Sequence, residues 1–155
     1  MIVRLHNSDT EVSKKIRSVF QLSYKIEAEL LNAIDFPPLK RPLEKYMHTN
    51  TAFFGCMKGG ELMGVIEIGH NNRCTNIHSL VVHPSFFRQG IAKQLMEFVL
   101  KTFDSNIFIV ETGLENGPAT KLYKKFNFKE VKQWDTDHGV RKIKFELRMR
   151  NETQC

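Results

Sequence analysis

The segment from Leu80 to Ala92 constrains the fold more than any other part of the chain. It reads LVVHPSFFRQGIA, an apolar strand and a loop that opens a helix at a glycine and an alanine. Small residues at this position let another group approach the backbone closely. The first amides of a helix have no internal acceptors and carry the positive end of its dipole, so such a loop suits phosphate oxygens. A plain strand-to-helix connection also explains the pattern.

Strand and helix patterns alternate along the rest of the chain. The predicted helices, by apolar spacing and caps, span 11–36, 39–47, 91–103 and 119–126. The predicted strands span 2–5, 51–57, 62–68, 74–82, 106–110, 128–134 and 140–149. The order β-α-α-β-β-β-α-β-α-β-β predicts a mixed α/β (α+β) fold with four helices and a mixed central sheet of about seven strands.

The first predicted helix carries an apolar stripe that we expect to face the core. Its members, at three-to-four spacing, are Ile16, Val19, Phe20, the small residue Ser23, Ile26, Leu30 and Ile34. The pair Pro37-Pro38 is expected to end this helix, because neither proline can donate to its hydrogen-bond ladder.

The composition excludes several classes of protein. Hydrophobic residues make up 41% and charged residues 26% of the chain, which fits a soluble globular domain and neither a disordered chain nor a coiled coil. No apolar run approaches the roughly 18 residues that a membrane-spanning helix needs. We therefore expect one domain over 1–150, a C-terminal tail over 151–155 and no membrane partner.

The cysteines favour a reducing compartment. Cys56, Cys74 and Cys155 are odd in number and form neither a CxxC nor a CxxH motif. A disulfide framework and a zinc site are therefore not expected. The sequence predicts a cytoplasmic protein without a metal.

Positive charge is in excess along the chain. The 23 lysines and arginines against 17 aspartates and glutamates give a net charge of +6, which either a solvated basic surface or an anionic partner explains. Lysines of the last third alternate with Phe126, Phe128 and Trp134, a pattern also found in nucleic-acid-binding proteins. No motif of a nucleic-acid-binding fold accompanies them, so nucleic acid is the less favoured partner.

A second motif runs from Asn116 to Phe128, NGPATKLYKKFNF. Asn116 is suited to cap a helix, and Asn127 follows that helix where a left-handed residue is favoured. Tyr123 lies on the apolar face of the same helix, where core packing alone explains an aromatic residue.

Together the two motifs resemble those of the GNAT superfamily of acyl-CoA N-acyltransferases. The first signature of that family is [Arg/Gln]-x-x-Gly-x-[Gly/Ala], and the second is Asn-x-x-Ala-x-x-Leu-Tyr-x-x-x-Gly-Phe. The residues of this chain that match are Gly90, Ala92, Asn116, Ala119, Leu122, Tyr123 and Phe128. Phe87 stands where the family usually has Arg or Gln, and Asn127 where it has Gly. The order of the elements is also similar over nearly the whole chain.

The resemblance implies a binding site for acetyl-CoA. The backbones of Leu80 and Val82 would pair with the pantetheine arm, and Asn116 would donate a hydrogen bond to that arm. The pyrophosphate would lie against backbone amides and the positive charge of two side chains, at Arg88, Gln89, Gly90, Ile91, Ala92 and Lys93. The resemblance also implies a primary amine as acceptor, a small molecule or a peptide, and is compatible with a homodimer.

The resemblance also assigns chemistry to Tyr123, beside the thioester sulfur. Direct transfer between two bound substrates needs orientation and no enzyme nucleophile, and the chain has no Gly-x-Ser-x-Gly motif. A tyrosine, with a pKa of about 10, keeps its proton at neutral pH and can give it to a departing thiolate of pKa about 8.5. Tyr123 is thus the predicted general acid; an acyl-CoA-binding domain that transfers nothing is the alternative.

Three residues are candidates for the general base. His78 titrates in the useful range and is expected to share a strand face with Leu80 and Val82. Glu67 lies in the apolar segment VIEI, where burial is expected to raise its pKa. Glu111 follows the fifth strand. Each also fits an ordinary surface position. Glu111 and two loops, 33–42 and 135–138, are expected to shape the acceptor site.

Overall fold

Helices and strands alternate along residues 1–149, the part of the chain that the structure, a computed structural model, describes. The strands are β1 (Ile2–Leu5), β2 (Ala52–Lys58), β3 (Glu61–Asn71), β4 (Cys74–Val82), β5 (Ile107–Gly113), β6 (Lys129–Asp135) and β7 (Arg141–Arg148). The helices are α1 (Thr10–Leu31), α2 (Leu43–Met47), α3 (Ile91–Thr102) and α4 (Gly117–Lys125), with 3-10 turns at Pro37–Lys40 and Pro84–Phe86. The predicted order of elements is confirmed. Residue 150 and the predicted tail, 151–155, lie outside the described residues.

One mixed sheet separates two helical layers. Its strand order is β1-β2-β3-β4-β5-β7-β6, and only the pairing of β4 with β5 is parallel within the described residues. Consecutive residues of β3 face opposite layers: Val65 packs with Phe20 of α1, and Ile66 packs with Leu95 of α3 and Tyr123 of α4. The predicted mixed α/β fold, with seven strands and four helices, is therefore confirmed.

The long helix α1 ends earlier than predicted. Asp9 caps its start by accepting hydrogen bonds from the amides of Glu11 and Val12. The helix ends after Leu31, where Asn32 adopts a left-handed conformation with φ 52°. The prediction that the two prolines end this helix is wrong, because Asn32 ends it five residues before them.

Only the first half of the predicted stripe on α1 faces the core. Ile16 and Phe20 are buried. The exposed members are Ile26, Leu30 and Ile34. The second half of the helix instead presents Tyr24, Glu27 and Leu31, spaced i, i+3 and i+7, to a cavity beside the sheet. The sheet opens beneath this half of the helix. The residues that point inward there line a cavity instead of packing against the sheet.

A β-bulge interrupts β4 at His78. Glu67 of β3 pairs with Ser79, but the next residue, Ile68, pairs with Ile77. His78 is therefore an extra residue in β4 without a partner in the register of β3. Bulges shift the alternation of side chains by one position.

The bulge reverses the predicted face of His78. A Cβ atom placed on Gly69 would lie 2.5 Å from His78 Nε2, so the imidazole packs against the bare backbone of β3. Leu80 and Val82 pack against the α3 layer. The expectation that His78 shares a face with Leu80 and Val82 is wrong, since it assumed an unbroken period of two.

The parallel pair β4 and β5 separates towards its C-terminal ends. Pairing runs from Cys74 with Ile107 to Ile77 with Val110 and then stops. Beyond that point the two strands diverge, as the family resemblance implied. This opening positions the candidate site.

The sequence also led to expectations about the cysteines and about membrane-spanning helices. Cys56 is buried with a free thiol, whereas Cys74 is disulfide-bonded, a bond that the number and spacing of the cysteines did not predict. Within residues 1–149, no helix has the length and apolar character needed to cross a membrane.

Candidate functional site

A cavity of about 400 Å³ lies at the opening between β4 and β5. Its walls come from α1, β4, β5, α4 and two loops that cover it. The polar side chains that line it are Tyr24, Glu27, Arg41, His78, Ser79, Glu111, Thr112, Asn116, Tyr123, His138 and Lys142. Elements far apart in the sequence thus converge where the sheet is open.

The loop before α3 has the backbone conformation of an anion-binding turn. Arg88 and Gly90 both have positive φ, 62° and 75°, and Gly90 caps α3 without any side-chain hydrogen bond. No acceptor for the amides of Ile91 and Ala92 lies among the described residues. A Cβ atom on Gly90 would meet nothing within 4 Å, so the turn is open to a ligand. The residues present therefore fit the pyrophosphate of a coenzyme A thioester.

The side chains around this loop add positive charge. Arg88 and Gln89 are exposed, and Lys93 makes only a long ion pair, 3.9 Å, with Glu97. Phe87 is 41% exposed and contributes no charge. Arg88 and Lys93 are therefore the cations available to an anion at the start of α3.

Leu80 and Val82 extend β4 beyond the last pair with β5. Val82 pairs with Gly64 of β3 on its other side, and Leu80 lines the cavity. Their backbone groups on the β5 side face the opening, where an extended ligand can pair with them as an added strand.

Tyr123 reaches the cavity from the buried face of α4. Its ring is 4% exposed and packs against Phe128 and Phe145, each at a centroid distance of 5.8 Å. Burial and the nearby charge of Glu27 raise the pKa of Tyr123 above its ordinary value. The phenol is therefore protonated at neutral pH.

Asn116 connects α4 to α1. Its Oδ1 accepts a hydrogen bond from the amide of Ala119 at 3.2 Å, which caps α4 as the sequence predicted. Its Nδ2 donates to Glu27 Oε1 at 2.6 Å and lies 3.5 Å from Thr112 Oγ1. The side chain predicted to bind the cofactor arm thus already holds a carboxylate.

Glu27 is a site residue that the sequence analysis missed. Burial raises its pKa to about 7, although the hydrogen bond from Asn116 and the charge of Lys142 both oppose that rise. The spacing of Tyr24, Glu27 and Leu31 is a second helical stripe that could have indicated this position. It was overlooked because the more apolar stripe beside it dominated the pattern.

Glu67 is buried in a network of donors. Arg41 donates to both of its oxygens, at 2.8 and 3.0 Å, and the hydroxyls of Thr51 and Ser79 donate at 2.7 and 3.1 Å. Burial raises the pKa of Glu67, but these bonds and the Arg41 charge lower it further, and the net result is below the ordinary value. The expected upward shift is wrong because the sequence did not show Arg41 as a partner. Glu67 also does not line the cavity.

The other two predicted bases lie at the cavity wall. His78 lines it from the bulge of β4 but is an exposed residue that packs on Gly69. Glu111 lines it from β5, with its side chain 45% exposed and paired with Lys142 at 3.4 Å.

The two loops expected to shape the acceptor site both border the cavity. The first contributes Phe36, Pro37 and Pro38, and the second contributes His138. The amide of Ile34 donates a hydrogen bond to the carbonyl of His138 at 2.9 Å, which ties the loops together. They form a cover over the side of the cavity that faces α1.

The fold and this site together define a class of acyl-transferring proteins, and sequence comparison identifies the family. Residues 16–128 match the family model described as the acetyltransferase (GNAT) family. The chain therefore belongs to the GNAT acetyltransferase family.

Relatives with curated names are similar over different shares of the chain. The UPF0157 protein YqkA of Bacillus subtilis is 30% identical over 141 residues, which are 90% of this chain and 41% of YqkA. An N-alpha-acetyltransferase of Sulfolobus acidocaldarius is 34% identical over 97 residues, 52% of this chain and 58% of that protein. The chain thus spans about half the length of these two relatives.

Solved structures share the fold. The PaiA N-acetyltransferase of Thermoplasma acidophilum, crystallised in complex with coenzyme A, superposes with a TM-score of 0.73 at 19% identity, over 96% of this chain and 98% of that one.

Proposed function

We propose that this protein transfers an acetyl group from acetyl-CoA to a primary amine by direct attack within a ternary complex. The observation that carries the proposal is the loop at Arg88 to Ala92, whose left-handed residues and uncapped amides open beside the gap in the sheet. Membership of the GNAT family supports the same donor, as does the coenzyme A bound to the similar PaiA enzyme.

The donor site divides between backbone and side chains. The amides of Ile91 and Ala92 would bind the pyrophosphate, with Arg88 and Lys93 neutralising its charge. Leu80 and Val82 would pair with the pantetheine arm. Acetyl-CoA supplies an acyl group that is activated as a thioester.

Tyr123 would act as the general acid for the leaving sulfur. It lines the cavity, and burial keeps it protonated at neutral pH. A buried phenol with no catalytic task is the alternative, and substitution by phenylalanine separates the two roles.

The acceptor would enter beneath the loops that contain Phe36 and His138. The cavity there has apolar walls with carboxylates at Glu27 and Glu111. This combination suits an ammonium group on a narrow, partly apolar stem. Because a similar relative carries the name N-alpha-acetyltransferase, a peptide α-amino group is the first acceptor to test.

Thiol release tests the proposal directly. The protein is incubated with acetyl-CoA and a panel of peptides, polyamines and aminoglycosides, and free thiol is followed over time. We expect release that depends on at least one amine and yields the acetylated product by mass spectrometry. Binding of coenzyme A without release for any amine would support a silent acyl-CoA-binding domain. Binding of nucleic acid with a steep salt dependence, and none of coenzyme A, would support the basic-module alternative.

Several expectations stay predictions. These are a single functional unit over 1–150, a cytoplasmic location, activity without a metal, and a homodimer.

A further inference from the structure

Glu27 and Glu111 line the cavity between β4 and β5, and a third carboxylate, Glu67, accepts hydrogen bonds from two residues that line it, Arg41 and Ser79. Glu67 accepts hydrogen bonds from three side chains, including two from the guanidinium nitrogens of Arg41, and it does not line the cavity. Glu111 lines the cavity but is 45% exposed and paired with Lys142. A carboxylate whose charge is stabilised by several donors, as that of Glu67 is, is a weak proton acceptor at neutral pH.

The carboxylate of Glu27 is held differently. It lines the cavity from α1, and one oxygen accepts the Asn116 hydrogen bond at 2.6 Å. Within residues 1–149, no other side chain or amide donates to it. Its second oxygen is therefore available to a ligand in the cavity.

The charged and titratable groups that line the cavity together with Glu27 come from every wall. They are Tyr24 on α1, Arg41 before α2, His78 on β4, Glu111 on β5, Tyr123 on α4, His138 in the β6–β7 loop and Lys142 on β7. Lys142 is the cation that lowers the pKa of Glu27, but burial has the larger and opposite effect, and the pKa lies at about 7. Glu27 is therefore poised to accept a proton near neutral pH.

We infer that Glu27 removes the proton from the acceptor ammonium and that Asn116 positions its carboxylate for this step. The inference rests on the proposed acetyl transfer and adds a catalytic residue from α1, outside the two sequence motifs. Tyr123 and the hydrogen-bonded pair of Glu27 and Asn116 line the same cavity.

The Glu27 carboxylate takes one proton from the ammonium, and the neutral nitrogen attacks the thioester carbonyl carbon. The C–N bond forms and the C–S bond breaks. The leaving sulfur takes the proton of Tyr123, whose oxygen then takes the second proton of the nitrogen. Glu27 releases its proton to water.

One variant tests the base, and a matched control lies on the same helix. Glu27→Gln keeps the hydrogen-bonding shape but cannot accept the proton, and Glu29→Gln changes an exposed glutamate two residues away. We expect Glu27→Gln to lower kcat/KM at pH 7.5 by about 100-fold or more, the low end for losing a general base. The control should match wild type, and calorimetry should show unchanged affinity for coenzyme A.

The pH profile distinguishes a base from a structural residue. In wild type, kcat/KM for a peptide amine should rise with pH through about 7 as Glu27 loses its proton. In Glu27→Gln that limb should move to the pKa of the amine itself, about 8 for a peptide α-amino group. An unchanged limb, or its loss in Glu111→Gln instead, would overturn the inference.

Asn116→Asp tests the positioning role. Aspartate also caps helices well, so α4 keeps its start, but the donor to Glu27 becomes a second carboxylate. We expect the rise of kcat/KM with pH to shift to higher pH, by about one pH unit or more. A limb that stays at the wild-type pH would remove Asn116 from the mechanism.

A readout without turnover keeps the inference separate from the proposed function. Carbon-13 NMR of glutamate-labelled protein should show one carboxyl that titrates near pH 7, absent in Glu27→Gln and shifted upward in Asn116→Asp. If wild type acetylates no amine, the proposed function fails, while this titration still reports on Glu27. A Glu27 carboxyl that titrates at its ordinary value of 4.5 overturns the inference even if acetyl transfer occurs.

Discussion

Tyr123 and Glu27 line the same cavity, and the charge of Glu27 acts on the phenol of Tyr123. Burial disfavours the charged form of both side chains, and a negative charge on Glu27 makes it harder for Tyr123 to lose its proton. The pair is therefore suited to opposite tasks at neutral pH, a protonated phenol beside a carboxylate that is close to its midpoint. Such pairs of groups with opposed protonation are typical of acid–base catalysis.

At the scale of the single residue, the phenol oxygen is the part of Tyr123 to test. The ring packs against Phe128 and Phe145, so Tyr123→Phe retains that packing and removes only the hydroxyl. We expect kcat to fall by about 100-fold, the low end for losing a general acid, with little change in the affinity for coenzyme A. Wild-type turnover in this variant, measured by thiol release, would leave Tyr123 as a core residue only.

At the scale of the element, the loop before α3 presents backbone amides to an anion, a task that charged side chains perform in other sites. Arg88 and Gly90 both occupy the left-handed region, which aims successive amides at one side of the turn. The replacement of a family Arg or Gln by Phe87 leaves these amides in place. Under the proposed function, the start of α3 would therefore be the main determinant of donor binding.

A carboxylate introduced at Gly90 should abolish binding of coenzyme A. Gly90→Glu places a negative charge where the pyrophosphate would lie. Gly60→Glu is a matched control, because Gly60 also has positive φ (81°) and open space around it but lies in the hairpin between β2 and β3. Each change should cost about 1 kcal/mol of stability through the left-handed backbone. Calorimetry should show coenzyme A binding only in the control; equal affinity in both would mean that the loop is not the phosphate site.

How much of this site the sequence could reveal depends on the range of the interactions involved. The Gly90 turn and the Asn116 cap follow from local backbone rules, so both could be predicted from short segments. The His78 bulge and the Arg41–Glu67 pair depend on how separate strands and loops meet in space. Glu27 also depends on long-range contact, since only the opening of the sheet makes its position an inward one.

At the scale of the whole molecule, Glu27 and Glu67 make stability depend on pH in opposite directions. Glu27 has a folded pKa of about 7, above its ordinary 4.5, so the stability it contributes is complete at low pH and is lost as the pH rises from 4.5 to 7. Glu67 has a lowered pKa, so its contribution is present above 4.5 and is lost as the pH falls below that value.

Urea denaturation of Glu27→Gln should therefore show a gain that depends on pH. Relative to wild type, the variant should become more stable as the pH rises from 5 to 8, because it lacks the charge that burial disfavours in this window. The difference in the free energy of unfolding should level off above the folded pKa. A difference that does not vary with pH would mean that Glu27 has an ordinary pKa.

The hydrogen bond between Ile34 and His138 has a consequence for which molecules can be modified. It joins the loops 33–42 and 135–138, which come from opposite ends of the chain. The lid that these two loops form at the cavity is therefore anchored on both sides. Under the proposed function, a lid held in this way would admit narrow, extended groups and exclude bulky ones. A folded protein could then be acetylated only at a loose end or an outstretched side chain, and lid sequence, independently of the donor loop, would decide which of them fits.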